Sequence, residues 1–189
     1  MPLTTYVANE VLTAASLNNN FTFAAANPTG GLVRVGGGTL SGASTSFASV
    51  FSATYEAYKI VLSNVAPSAS TNYLAMTLGA TVTGYYWAWN RTDIVTGTMS
   101  GDASGGTSAS FNDLAQGVTF GLTIEMQNPF IAAKTAMQMS SATYNTTGTQ
   151  KVLTGAGFLD NVTSYTGFTL SIAAGTMTGT VNVYGYALS

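Results

Sequence analysis

The sequence predicts an all-β fold, a β-sandwich or jelly-roll-like domain with a short N-terminal helical arm. Three observations carry this expectation. Apolar residues alternate at period two through most of the chain. Clusters of Gly, Ser, Asn and Thr cut it into short pieces. No long helical period separates one piece from the next. At 189 residues the chain suits one domain plus an arm, with a single core of useful size.

The alternation is explicit in the strands expected after residue 50. Tyr58, Ile60 and Leu62 alternate with Lys59 and Ser63, and Leu74, Met76 and Leu78 with Tyr73, Ala75 and Thr77. Tyr85, Trp87 and Trp89 alternate with Tyr86, Ala88 and Asn90. Phe120, Leu122, Ile124 and Met126 alternate with Thr119, Gly121, Thr123 and Glu125. Met137 and Met139, then Phe168, Leu170 and Ile172, then Val181 and Val183 repeat the pattern. Each set puts apolar side chains on one face of a pleated strand and small polar ones on the other. Weaker signals near Leu32–Val35, Phe47–Phe51 and Lys151–Thr154 bring the expected count to about eight to ten strands. Turns are expected at Gly36–Gly38, Asn64–Asn72, Asn128–Pro129 and Asn145–Gly148. The Gly-, Ser- and Thr-rich stretch Thr96–Ser110 reads as a long flexible loop, either a connector or a contact element.

Residues 1–30 break the pattern. Thr13 is a candidate N-cap, and Leu17 and Phe21 share a face of a short helix expected over residues 14–23. Asn27-Pro28-Thr29-Gly30-Gly31 reads as a hinge. The expected division is therefore an arm, 1–30, and a β-domain, 31–189. So short an amphipathic stretch needs a surface to lie on, its own domain or a partner's.

Composition narrows the function. Five basic and seven acidic residues give a net charge of −2, with neither His nor Cys. Soluble surfaces commonly carry about 25–35% charged residues, whereas here 6% of the chain is charged. A surface of Ser, Thr, Asn, Gly and Ala is expected to be covered by partners, although neutral free monomers also exist. Arg34, Lys59, Arg91, Lys134 and Lys151 are scattered singly, which argues against nucleic acid. Disulfides, thiolate metal sites and imidazole catalysis are unavailable. No phosphate loop or nucleophile elbow occurs. No apolar run reaches the roughly 20 residues needed to cross a bilayer. The first residues lack a basic region ahead of an apolar stretch, so no secretory signal is expected.

Glycoside hydrolysis would need two carboxylates across a cleft. Glu10, Glu56, Asp93, Asp102, Asp113, Glu125 and Asp160 show no such pairing by sequence and read as surface charge or salt bridges. Asp93, Asp102 and Asp113 lack an EF-hand spacing, so neither a metal nor any other cofactor is expected, and an enzyme is not. Among the aromatics, Trp87 and Trp89 read as core. Tyr85, Tyr86, Tyr184 and Tyr186 are candidate interface or ligand aromatics, able to anchor a protein contact or stack on a sugar.

Three stretches resemble bacteriophage tail-fibre and virion appendage proteins. Val11-Leu12-Thr13-Ala14-Ala15-Ser16-Leu17-Asn18-Asn19-Asn20-Phe21 is similar to an N-terminal element of that family. Phe51 to Val65, with Tyr55-Glu56-Ala57-Tyr58, an apolar strand and Ser63-Asn64-Val65, resembles a repeated motif of the same proteins. Gly175-Thr-Met-Thr-Gly179-Thr-Val181-Asn-Val183-Tyr184-Gly185 resembles their C-terminal ending. The resemblance implies a virion location after synthesis in the host cytoplasm, a β-sandwich-like domain, a homotrimer and no shared catalytic residues. The expected partners are sister subunits, a tail, portal or major capsid protein met through Val11, Leu12, Leu17 and Phe21, and a host surface glycan. Neither nucleic acid nor membrane insertion is expected. Tail fibre, receptor binder and capsid decoration (cement) protein remain open, with a glycan-processing enzyme as a remote alternative.

Overall fold

A computed structural model describes residues 13–15, 18, 31–69, 73–144 and 150–187. Among these, the fold is all-β: eleven strands in two antiparallel sheets. They are β1 (Leu32–Thr39), β2 (Ser44–Phe47), β3 (Ala57–Pro67), β4 (Leu74–Leu78), β5 (Tyr85–Asp93), β6 (Met99–Ser108), β7 (Thr119–Gln127), β8 (Thr135–Tyr144), β9 (Gln150–Leu159), β10 (Phe168–Ile172) and β11 (Met177–Tyr186). The large sheet has the order β1-β11-β3-β7-β8-β9-β5-β6, and the small one β2-β10-β4.

The expected alternation appears directly as burial. Tyr58, Ile60 and Leu62 on β3, Leu122, Ile124 and Met126 on β7, and Val181 and Val183 on β11 are buried. They form one cluster with Leu74, Met76 and Leu78 on β4 and Phe168, Leu170 and Ile172 on β10. Two aromatic contacts tie the sheets together. Phe51 packs edge-on against Tyr58 at 4.8 Å and stacks on Phe168 at 5.7 Å. Tyr85 on β5 accepts a hydrogen bond from the Leu78 backbone N–H of β4 at 2.8 Å. Burying a Leu or Phe contributes about 1.5–3 kcal/mol. An exposed ion pair contributes about 0–1 kcal/mol, so so few charges cost the fold little.

Trp87 and Trp89 are core, as expected, and stack on one another at 5.3 Å with rings 8° from parallel. Their partners are Gly157 and Gly155, directly across on β9. A Cβ at Gly155 would strike the Ala88 carbonyl and the Trp89 ring, and one at Gly157 would crowd Trp87 and Phe111. β9 is thus stripped of side chains where the indoles lie, which hid its alternation from the sequence.

The segments 51–65 and 175–185 lie side by side as β3 and β11 with their flanks. Both strands shift register at the same level, between Leu62 and Val65 on one and Thr178 and Thr180 on the other. Asn64 has φ +52° and Gly179 φ +137° there. A side chain at Gly179 would run into the Val65 and Asn64 backbone. The Tyr55 ring covers Gly185.

Several expectations need correction. Thr96–Ser110 is not a loop: Met99–Ser108 forms edge strand β6, paired with β5 from Thr92↔Met99 to Tyr85↔Ser108. Its small residues cover no core, so it is held chiefly by its backbone ladder, with Asp102 paired to Arg91, and carries no apolar alternation. The turn expected from Asn64 begins later, because β3 runs through Pro67, where proline at a strand end forfeits little. The strand count exceeds the expected range by β6. Val11, Leu12, Leu17 and Phe21 lie outside the described residues. Of the expected helix, Ala14, Ala15 and Asn18 are described and have helical backbone; no complete helix is among the described residues.

The glycine strand gives a direct test. Gly155→Ala is expected to lower stability by about 2–3 kcal/mol through overpacking. Gly105→Ala, where a Cβ meets nothing within 4 Å, should change it by less than about 0.5 kcal/mol. Urea melts of the two variants make the comparison; equal effects would contradict the packing described.

Candidate functional site

The outer face of the large sheet differs in composition and relief from an ordinary solvated sheet. Alternation turns Gln138, Ser140 and Ala142 outward on β8, and Thr154, Ala156 and Phe158 on β9. It turns Tyr86, Ala88 and Asn90 outward on β5, with Gly101, Ala103 and Gly105 facing them on β6. None of these outward residues is charged. Solvated strands, above all edge strands, usually carry Lys or Glu as protection against pairing. Within β6 the one charged residue, Asp102, is opposite Trp89 and not on this face.

The face has relief. Tyr86 and Phe158, cross-strand neighbours, stack at 4.8 Å with rings 4° from parallel. The Tyr86 ring lies over Gly106, whose φ of +89° and absent side chain admit it. Beside this ridge runs a groove of about 520 Å³, lined by Ala88, Ala103, Ala136, Ala156, Gln127, Gln138 and Glu125 among others. The Lys134 ammonium stands 6.0 Å from the Phe158 ring centre and 2.7 Å from Asp160, which raises its pKa.

Charge returns on the β7-β3-β11 side of the same face. Glu125 accepts from Lys59 Nζ and from the Tyr186 hydroxyl, each at 2.5 Å. Holding the neutral phenol against a carboxylate pushes the Tyr186 pKa up to about 12. Tyr184 lies on this face opposite Lys59, half-buried. Of the four aromatics singled out from the sequence, Tyr86, Tyr184 and Tyr186 are therefore on the outer face. Tyr85 is not: it is wholly buried, packed edge-on against Phe111 and bonded to Leu78 and Thr81. It belongs with Trp87 and Trp89 in the alternation, and its position in the core excludes it from an interface. Phe158 went unremarked in the sequence because the Gly-Ala-Gly run before it masks the strand.

Of the acids, expected as surface charge or salt bridges, Asp102, Asp113, Glu125 and Asp160 form salt bridges. Arg91 pairs with Asp113, which is buried, and with Asp102 at 3.4 Å, while its guanidinium lies 5.5 Å from the Tyr73 ring centre. Asp93 instead accepts backbone N–H groups of Val95 and Thr96 in the β5–β6 turn. The three aspartates thus serve an arginine and a turn, and among the described residues no His, Cys, Asp or Glu cluster suited to a metal occurs. Two more grooves, each of about 520–530 Å³, lie beside the small sheet near Tyr165 and at the sheet end near Ile94 and Tyr144. Glu125 is the single acid among the residues lining the three grooves. No protein family, curated protein or solved structure matches the chain.

The tyrosines set an alkaline limit. Burial pushes Tyr85, and the bond to Glu125 pushes Tyr186, to about 12. Both values are raised, so the stability they contribute is complete below pH 10 and is lost as pH rises through about 12. Alkaline titration followed by tyrosinate absorbance should show late-ionising phenols, one of which disappears in Tyr186→Phe. Ionisation of Tyr186 at its ordinary value of 10.0 would contradict the bond to Glu125.

Proposed function

We propose that this chain is a non-enzymatic structural protein of a bacteriophage particle, a surface appendage of the tail-fibre kind that works as a homo-oligomer, a trimer as the sequence resemblance implies. The two sheets are read as the layers of a β-sandwich, with residues 1–30 as the arm that docks on another virion protein. The observation that carries the reading is the uncharged, small-residue outer face across β8, β9, β5 and β6. A face that water and diffusing neighbours reach freely gains from charge, while a face fitted against a partner gains from having none to desolvate.

Two further observations support it. Two of the three stretches that resemble appendage proteins in sequence, 51–65 and 175–185, pack against each other on adjacent strands, at Gly179 and Gly185. Four of the seven acids, Asp102, Asp113, Glu125 and Asp160, pair with Arg91, Lys59 or Lys134, and structural ion pairing accounts for these four without a substrate.

Deleting residues 1–30 tests the docking role. The remaining β-domain is expected to melt cooperatively, because the described core draws on residues from Leu40 to Val183. It is also expected to be missing from purified particles. Incorporation of the truncated chain at the full-length level would overturn the docking role. Quantifying the full-length chain on separated heads and tails distinguishes a fibre from a capsid decoration protein.

A further inference from the structure

We propose that the outer face of β8-β9-β5-β6 is the contact between copies of this chain, with the Tyr86–Phe158 ridge of one copy seated in the alanine-floored groove of the next. The proposal rests on the assembly reading above and adds to it the surface and the occupant.

Three features favour a second copy over an unrelated partner. Ridge and groove adjoin on one face, so every copy carries both the knob and the hole, the condition for self-association. The outward residues of β8, β9, β5 and β6 give a charged partner no ionic handle, and the charges beside the contact, Glu125 in the groove wall and Lys134 next to Phe158, are already paired with Lys59 and Asp160. The extent also fits. With strands about 4.8 Å apart and about 3.3 Å per residue, the outer face of β8-β9-β5-β6 spans on the order of 600 Å². Stable interfaces take about 600–1,000 Å² from each partner. The floor residues Ala88, Ala103 and Ala156 are small and exposed, which permits close approach of a facing aromatic ridge. Aromatic anchors in such pockets carry a large share of binding energy.

The test uses the full chain and reads mass in solution by sedimentation. The wild type is expected above the 19.4 kDa of one chain, and Ala88→Glu and Ala156→Glu to sediment as monomers with native near-ultraviolet dichroism. Phe158→Ser, which introduces no charge, should weaken association about tenfold or more. Variants that fold and keep the wild-type mass would overturn the surface assignment while leaving the assembly reading intact. A wild type that is monomeric up to the highest concentration reached would sink both. If a glutamate variant fails to fold, Phe158→Ser alone decides: unchanged association overturns the proposal.

Discussion

The stacked Trp87 and Trp89, laid across the bare backbone of Gly155 and Gly157, fix which side of the large sheet is which. Side chains alternate strictly along a strand, so slipping β9 against β5 by one residue would set Ala156 and Phe158 beneath the indoles and expose the glycines. The indoles leave no room for a Cβ at Gly155, and that register is closed. Once large residues are committed inward on β5 and β9, the outward positions follow: Ala88, Ala156 and the Tyr86–Phe158 pair. The uncharged outer face, with its ridge and groove, is thus a consequence of the same packing that builds the core.

The β3–β11 pair does comparable work at the other side of the sheet. Asn64 and Gly179 share one irregularity in which two backbones approach closely, and Tyr55 closes over Gly185. Each of these positions has a packing role. The few charges serve chiefly to tie strands together: Lys59 and Glu125 join β3 to β7, and Arg91 joins β5 to Asp102 on β6 and to buried Asp113.

Much of the fold was legible because hydrophobic alternation is a direct print of a two-sided sheet. β3, β4, β5, β7, β10 and β11 all show it. β6 did not, since an edge strand built mostly of Gly, Ser, Ala and Thr buries no apolar core and is held chiefly by its ladder. β9 was legible only in part, because glycine stands where an inward apolar residue would. The site was legible to the same extent. Tyr86, Tyr184 and Tyr186 follow from strand parity, and parity, applied consistently, also sends Tyr85 inward. The Phe158 ridge and the Arg91 cluster depend on pairing across strands distant in sequence, β5 with β9 and β5 with the segment before β7, which no local pattern encodes.

The most direct measurement of the central claim is hydroxyl-radical footprinting of the intact assembly and of the chain diluted to monomer. Phe158 and Tyr73 are similarly exposed in the single chain, at 40% and 37%. The account predicts that Phe158 and Tyr86 are shielded on assembly while Tyr73 is oxidised equally in both states. Equal oxidation of Phe158 in the assembled and dissociated protein would show that the uncharged face meets only water.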